Sequence, residues 1–189
     1  MSSQHLDYMI EEFEKEYYNE MTRRERVITS LSVPVAAITV IGSSLLYIFR
    51  ETIDIFSGEF NEKTVALLIE ATIISTLVFI ALWYYLIQIF IGEFYRGLPY
   101  AAQRRDLLEN YLEYYEFYAP RHSKQKSLIS YKRDRLAYLV ECVDHNQRVN
   151  DRKYDYRYKF LKLLVVNLAC VAGAFVLLYI ANARVFTDG

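Results

Sequence analysis

Residues 71–92 read ATIISTLVFIALWYYLIQIFIG, an uncharged run of 22 residues. At 1.5 Å per residue a helix of about 20 residues crosses a hydrocarbon core of roughly 30 Å. The run is therefore long enough to span a membrane, and Val65-Ala-Leu-Leu-Ile extends it upstream across one acid, Glu70. Two further runs share this property: Val27–Phe49, with 23 residues, and Leu163–Ala183, with 21. Hydrophobic residues make up 53% of the 189-residue chain, and they collect in these three blocks. The expected class is all-α: an integral membrane protein with three transmembrane helices and a cytoplasmic helical hairpin.

The first run is expected to stay in the protein. The 26 residues before it are charged and mostly acidic, and the run is too long for the apolar region of a cleavable signal peptide. Pro34 lies about two turns into it, where a membrane helix tolerates a kink. Tyr154, Tyr156 and Tyr158 precede the third run, where amphipathic rings favour the headgroup zone.

Lys and Arg near the span ends set orientation. Arg23, Arg24 and Arg26 stand before the first span, whereas the short loop 50–63 holds two basic residues and four acids. From Glu93 to Tyr158 there are 13 basic residues and 10 acids, and the tail 184–189 carries only Arg184. The expected domains follow: a cytoplasmic amphipathic helix (1–26), two spans with the extracytoplasmic loop (27–92), a basic cytoplasmic hairpin (93–158), a third span (159–183) and an extracytoplasmic tail. The expected site is the plasma (inner) membrane.

Residues 5–26 carry an apolar stripe of Leu6, Met9, Ile10, Phe13, Tyr17 and Met21, with a helix expected to continue into the first span. The acids Asp7, Glu11, Glu12, Glu14, Glu16 and Glu20 form either a solvated face or a docking face for basic residues elsewhere. Gly97 and Pro99 break the chain after span two. The hairpin then places Leu107, Leu108, Tyr111, Leu112, Tyr115 and Tyr118 on one helical face. Ile129, Leu136, Leu139, Val140 and Val143 face them from a second helix, about Lys126 to Val149, that continues towards the third span. Its Tyr residues fill a small helical core or, beside Lys and Arg, stack on bases; nucleic acid is the disfavoured partner. Lys124, Lys126, Lys132, Arg133 and Arg135 form a basic patch suited to anionic headgroups.

No phosphate loop, nucleophile elbow or metalloprotease motif occurs. Cys142 and His145 are a lone i, i+3 pair, short of the three or four ligands zinc takes, so no catalytic residue, metal or cofactor is expected. The two cysteines lie in unlike surroundings and are not expected to pair. Polar residues inside the spans are more specific. Glu70, Gln88 and Asn167 are the expected intramembrane polar or pore-lining positions, with Glu70 alternatively close enough to the outer interface to snorkel there. Gly42 and the Ala169-x-x-x-Gly173 spacing permit close helix packing. Small and polar residues on several span faces point to a homo-oligomer in the lipid bilayer.

The arrangement over residues 8–118 resembles the SLATT group of small two-span membrane effectors in prokaryotic antiviral systems. The likeness lies in the Tyr17-Tyr-Asn-Glu-Met-Thr-Arg-Arg-Glu-Arg lead into span one and in Tyr100-Ala-Ala-Gln-Arg-Arg with Leu107-Leu-Glu-Asn-Tyr-Leu after span two. It implies a non-enzymatic oligomer that permeabilises or depolarises the inner membrane when a cytosolic sensor protein or nucleotide signal engages it. The third span and the basic second hairpin helix depart from that pattern. The alternatives of a membrane scaffold holding a cytosolic partner, and of a small channel or transporter subunit, stay open.

Overall fold

The computed structural model describes residues 3–56 and 62–185. Parts of the loop 50–63 (residues 57–61) and of the tail (186–189) lie outside the described residues. Among the described residues five α-helices form: α1 Ser3–Thr29, α2 Ser32–Phe56, α3 Glu62–Phe90, α4 Ala101–Tyr118 and α5 Ser123–Val185, with a 3-10 turn at Pro120–His122 before α5. There is no strand among the described residues. Three helices are long and apolar enough to cross a membrane. The chain divides into two compact units, residues 1–26 with 93–152 and residues 27–92 with 153–189.

The second unit is held by a repeating seam. On α2 the buried positions are Ile38, Ile41, Leu45, Ile48, Thr52 and Ile55, spaced three and four apart throughout. On α3 they are Val65, Leu68, Thr72, Ser75, Leu82, Leu86 and Ile89, with Phe79 partly buried in the same register. On α5 they are Phe160, Leu164, Asn167, Val171, Ala174, Leu178 and Ala181. Alternating spacings of three and four are the heptad pattern that packs helices knobs-into-holes. Every pair of helices meets: Gly42 of α2 faces Phe79 of α3, Tyr47 of α2 stacks on Phe175 of α5 (6.0 Å), and Ser75 of α3 bonds Asn167 of α5. The outside is largely apolar as well, exposing Val40, Leu46, Phe49, Ile73, Leu77, Ile80, Val165 and Val176. Apolar outside with hydroxyls and an amide within suits lipid, and in water so large a patch invites association.

The lead helix runs on into the start of the expected first span, as far as Thr29, and is interrupted there. α1 ends at Thr29 and α2 begins at Ser32, so the interruption lies at Ser30 and Leu31. Pro34 explains it. Proline has no N–H for the Ser30 carbonyl, and its ring crowds that carbonyl. Regular bonding resumes with Val35 N–H donating to Leu31 O at 2.9 Å. The helices also reach further into the expected loop 50–63 than hydropathy indicates, because α2 extends to Phe56 and α3 starts at Glu62.

In the first unit, α1 packs its stripe against α5. Ile10 and Tyr17, with Phe13 and Met21 partly buried, meet Leu139, Cys142 and Val143. α4 lies antiparallel on the start of α5 through three polar links: Tyr111 hydroxyl to Asp134, Tyr115 hydroxyl with Ser130 (3.0 Å), and Ser127 hydroxyl to the Tyr111 carbonyl (2.9 Å). The α4 face from Leu107 to Tyr118 makes no true core, since no residue of α4 is fully buried. Tyr118 stays 67% exposed. One helix laid on another covers only a narrow stripe, and nothing in this unit covers the rest.

Candidate functional site

Between α3 and α4, residues 93–100 run without helical structure. Leu98 precedes Pro99, and a residue before proline is steered out of the α region. Gly92, just past the end of α3, has room for no side chain, because an added Cβ would stand 2.3 Å from the Gln88 carbonyl. A connector with unpaired backbone groups needs partners, and one face of α5 supplies them.

The buried side chain of Asn146 grips both polar groups of Arg96: its Oδ1 accepts from the Arg96 N–H (2.9 Å), and its Nδ2 donates to the Arg96 carbonyl (3.1 Å). One turn on, buried Asn150 accepts from the Tyr95 hydroxyl (2.5 Å) and donates to the Glu20 carbonyl of α1 (2.8 Å). The Phe94 carbonyl takes a hydrogen bond from His145 Nε2–H at 2.9 Å, and the Gly97 carbonyl takes one from the Tyr138 hydroxyl at 3.1 Å. Ion pairs Arg96–Glu141 and Arg152–Glu93 flank these contacts, and Arg24 lies 4.8 Å above the Tyr95 ring. The connector is thus strapped along α5. The Cys142 thiol sits buried beneath it, 3.9 Å from the Gly97 carbonyl, and burial pushes its pKa up.

Asn146 and Asn150 escaped the sequence reading, although they carried a signal. The stripe Leu139, Cys142, Val143, Val149 is apolar except at these positions. An amide repeated every four residues in a buried stripe marks backbone capture.

The acidic N-terminal helix docks on basic residues of α5. Lys132 Nζ reaches Asp7 at 2.7 Å and the Ser3 hydroxyl at 2.8 Å, Arg135 pairs with Glu14, and Arg23 pairs with Asp151 at 2.9 Å. The five-residue basic patch is therefore not one free surface. Lys132 and Arg135 are spent on α1, while Lys124, Lys126 and Arg133 remain exposed. Among the described residues, Glu11 and Glu12 pair with Lys15 on their own helix.

Among the intramembrane candidates, Asn167 is fully buried and accepts a hydrogen bond from the Ser75 hydroxyl at 2.5 Å. Its Nδ2 has no acceptor among the described residues. Gln88 is half-buried near the end of α3. Glu70 is exposed on the open face of α3, beside exposed Ile73, Ile74 and Leu77, and without an ion pair among the described residues. Gly42 packs helices together, since a Cβ there would stand 3.2 Å from the Phe79 ring. Ala169 and Gly173 do not pack within the chain. Both are exposed, and a Cβ at 173 would meet nothing within 4 Å. They are displaced from the seam because the heptad positions of α5 fall at Asn167, Val171 and Ala174 instead.

No group of three His, Cys, Asp or Glu side chains able to hold a metal occurs among the described residues. Compared with protein-family models, curated proteins and solved structures, the chain matches none.

Proposed function

We propose that the chain is a non-catalytic, three-span protein of the inner membrane whose copies assemble around a permeation path, with the first unit as the cytoplasmic element that controls it. The carrying observation is Glu70. A carboxylate on an outward face of a span costs about 2.5–3.5 kcal/mol at the centre of a hydrocarbon core, less near its ends, and so normally faces protein or water. Within one chain nothing covers it. Further copies, meeting along α3 or along the open Ala169–Gly173 face of α5, would give it a wet or protein-lined surrounding. The basic flanks Arg23, Arg24, Arg26 and 93–158 support a cytoplasmic first unit.

The test is reconstitution of the purified chain into vesicles loaded with a potential-sensitive dye. Dissipation of an imposed potential supports the reading, and Glu70→Gln should change the rate at equal protein density. Tight vesicles at all protein densities would overturn it. The antiviral setting rests on the resemblance alone, and loss of protection against phage in a deletion strain is its test.

One observation favours a scaffold as the second reading. Tyr114, Phe117 and Tyr118 cluster at the end of α4, with ring centroids 4.7–4.8 Å apart and Phe117 80% exposed. An exposed cluster of aromatic rings at a helix end suits a protein partner.

A further inference from the structure

The connector, α4 and α5 enclose a cavity of about 170 Å³ within the first unit. Its walls are almost wholly apolar, formed by Leu98, Pro99, Leu107 and the rings of Tyr131 and Tyr138. Its charged groups are unequal. Arg135 is held by Glu14, and Asp134 accepts the Tyr111 hydroxyl. Arg104 has no carboxylate within ion-pair distance among the described residues, and its Nε is buried without an acceptor. A buried guanidinium N–H shut off from water and left without an acceptor is unfavourable, and structures seldom keep one unless something else satisfies it.

Size limits what that something is. An apolar cavity of about 150 Å³ takes up benzene, whereas drug-sized ligands occupy pockets of roughly 300–1,000 Å³. The space therefore suits one ring or a compact bicycle. The fork of an arginine matches a carboxylate, and the two tyrosine rings offer faces for a planar body.

We propose that this cavity is a binding site for a small planar carboxylate, an aromatic or heteroaromatic acid whose ring lies among Tyr131, Tyr138 and Leu107 and whose carboxylate meets Arg104. Such a ligand touches the connector, α4 and α5 at once and so ties the three together. The inference goes beyond the permeation reading and does not depend on it.

The test is calorimetric titration of the full chain in lipid nanodiscs with benzoate and indole-3-carboxylate, and with benzamide and indole as neutral counterparts. Both acids should bind with Kd below about 1 mM, and more tightly than their counterparts. Arg104→Gln should weaken the acids by about tenfold or more and leave indole unchanged, since tenfold is less than one charged hydrogen bond is worth. Arg104→Lys, which keeps the charge without the fork, should fall between. Leu107→Trp fills the space, leaves the cation in place, and should abolish binding of acids and neutral rings alike. Circular dichroism of each variant verifies the fold. Equal binding of acid and amide, acid binding unchanged in a folded Arg104→Gln, or no binding of either acid at about 10 mM would each overturn the proposal.

Discussion

Asn146 replaces a backbone partner with a side chain. It satisfies the N–H and the C=O of one connector residue, so its loss strips two hydrogen bonds at a buried position. Asn146→Ala should lower unfolding stability by about 1–3 kcal/mol, measured by chemical denaturation of the detergent-solubilised chain. Asn146→Asp should cost at least as much, because a carboxylate cannot donate to the Arg96 carbonyl. Tyr111 gives a pH signature. Its hydrogen bond to Asp134, aided by burial, raises the phenol pKa from 10 to about 12. The folded state holds this proton more tightly than the unfolded chain does, so the stabilisation is complete below pH 10 and is lost as the pH rises towards 12. Tyr111→Phe should remove that alkaline loss and cost about 1 kcal/mol at neutral pH. Thermal melts between pH 9 and 12 compare the two.

At the scale of elements, two glycines predict opposite outcomes. Gly42→Leu drives a side chain into the Phe79 ring, an overpacking that should destabilise the second unit by about 1–3 kcal/mol. Gly173→Leu meets open space and gains helix propensity, so the protomer should melt no lower than wild type while its self-association changes. Blue native electrophoresis beside thermal melts separates these effects. The helices themselves were legible in sequence because uncharged runs of 21–23 residues leave few alternatives in a membrane. The break before α2 was less so. Pro34 was visible, but proline acts on the carbonyl four residues back, which moves the interruption to Ser30 and Leu31. The docking of α1 was half-legible: apolar spacing reveals the stripe, yet which acids find cations depends on the pairing of α1 with α5. Hydropathy of single segments carries nothing about that pairing. The same holds for Arg104, an ordinary arginine in sequence that only the packing of three segments encloses.

For the whole molecule, the permeation reading makes orientation and number measurable. A membrane-impermeant maleimide added to intact cells should leave an Arg133→Cys variant unlabelled at that exposed position, whereas labelling there from outside would reverse the proposed orientation. Detergent-solubilised particles should exceed one protomer, 22.4 kDa, in light scattering corrected for bound detergent. A mass equal to one protomer at all concentrations would leave Glu70 without a cover of protein and remove the main argument for a shared path.

Cys142 makes the connector its own recorder. A thiol covered by this segment and by Ile10 and Tyr17 of α1, its pKa raised by burial, should be alkylated during the moments when that cover lifts. Where lifting and closing outpace the reagent, the ratio of its rate to that of a free thiol gives the fraction of time the cover stands open. Any molecule that clamps the segment should slow that clock in proportion, before current or leak is ever measured.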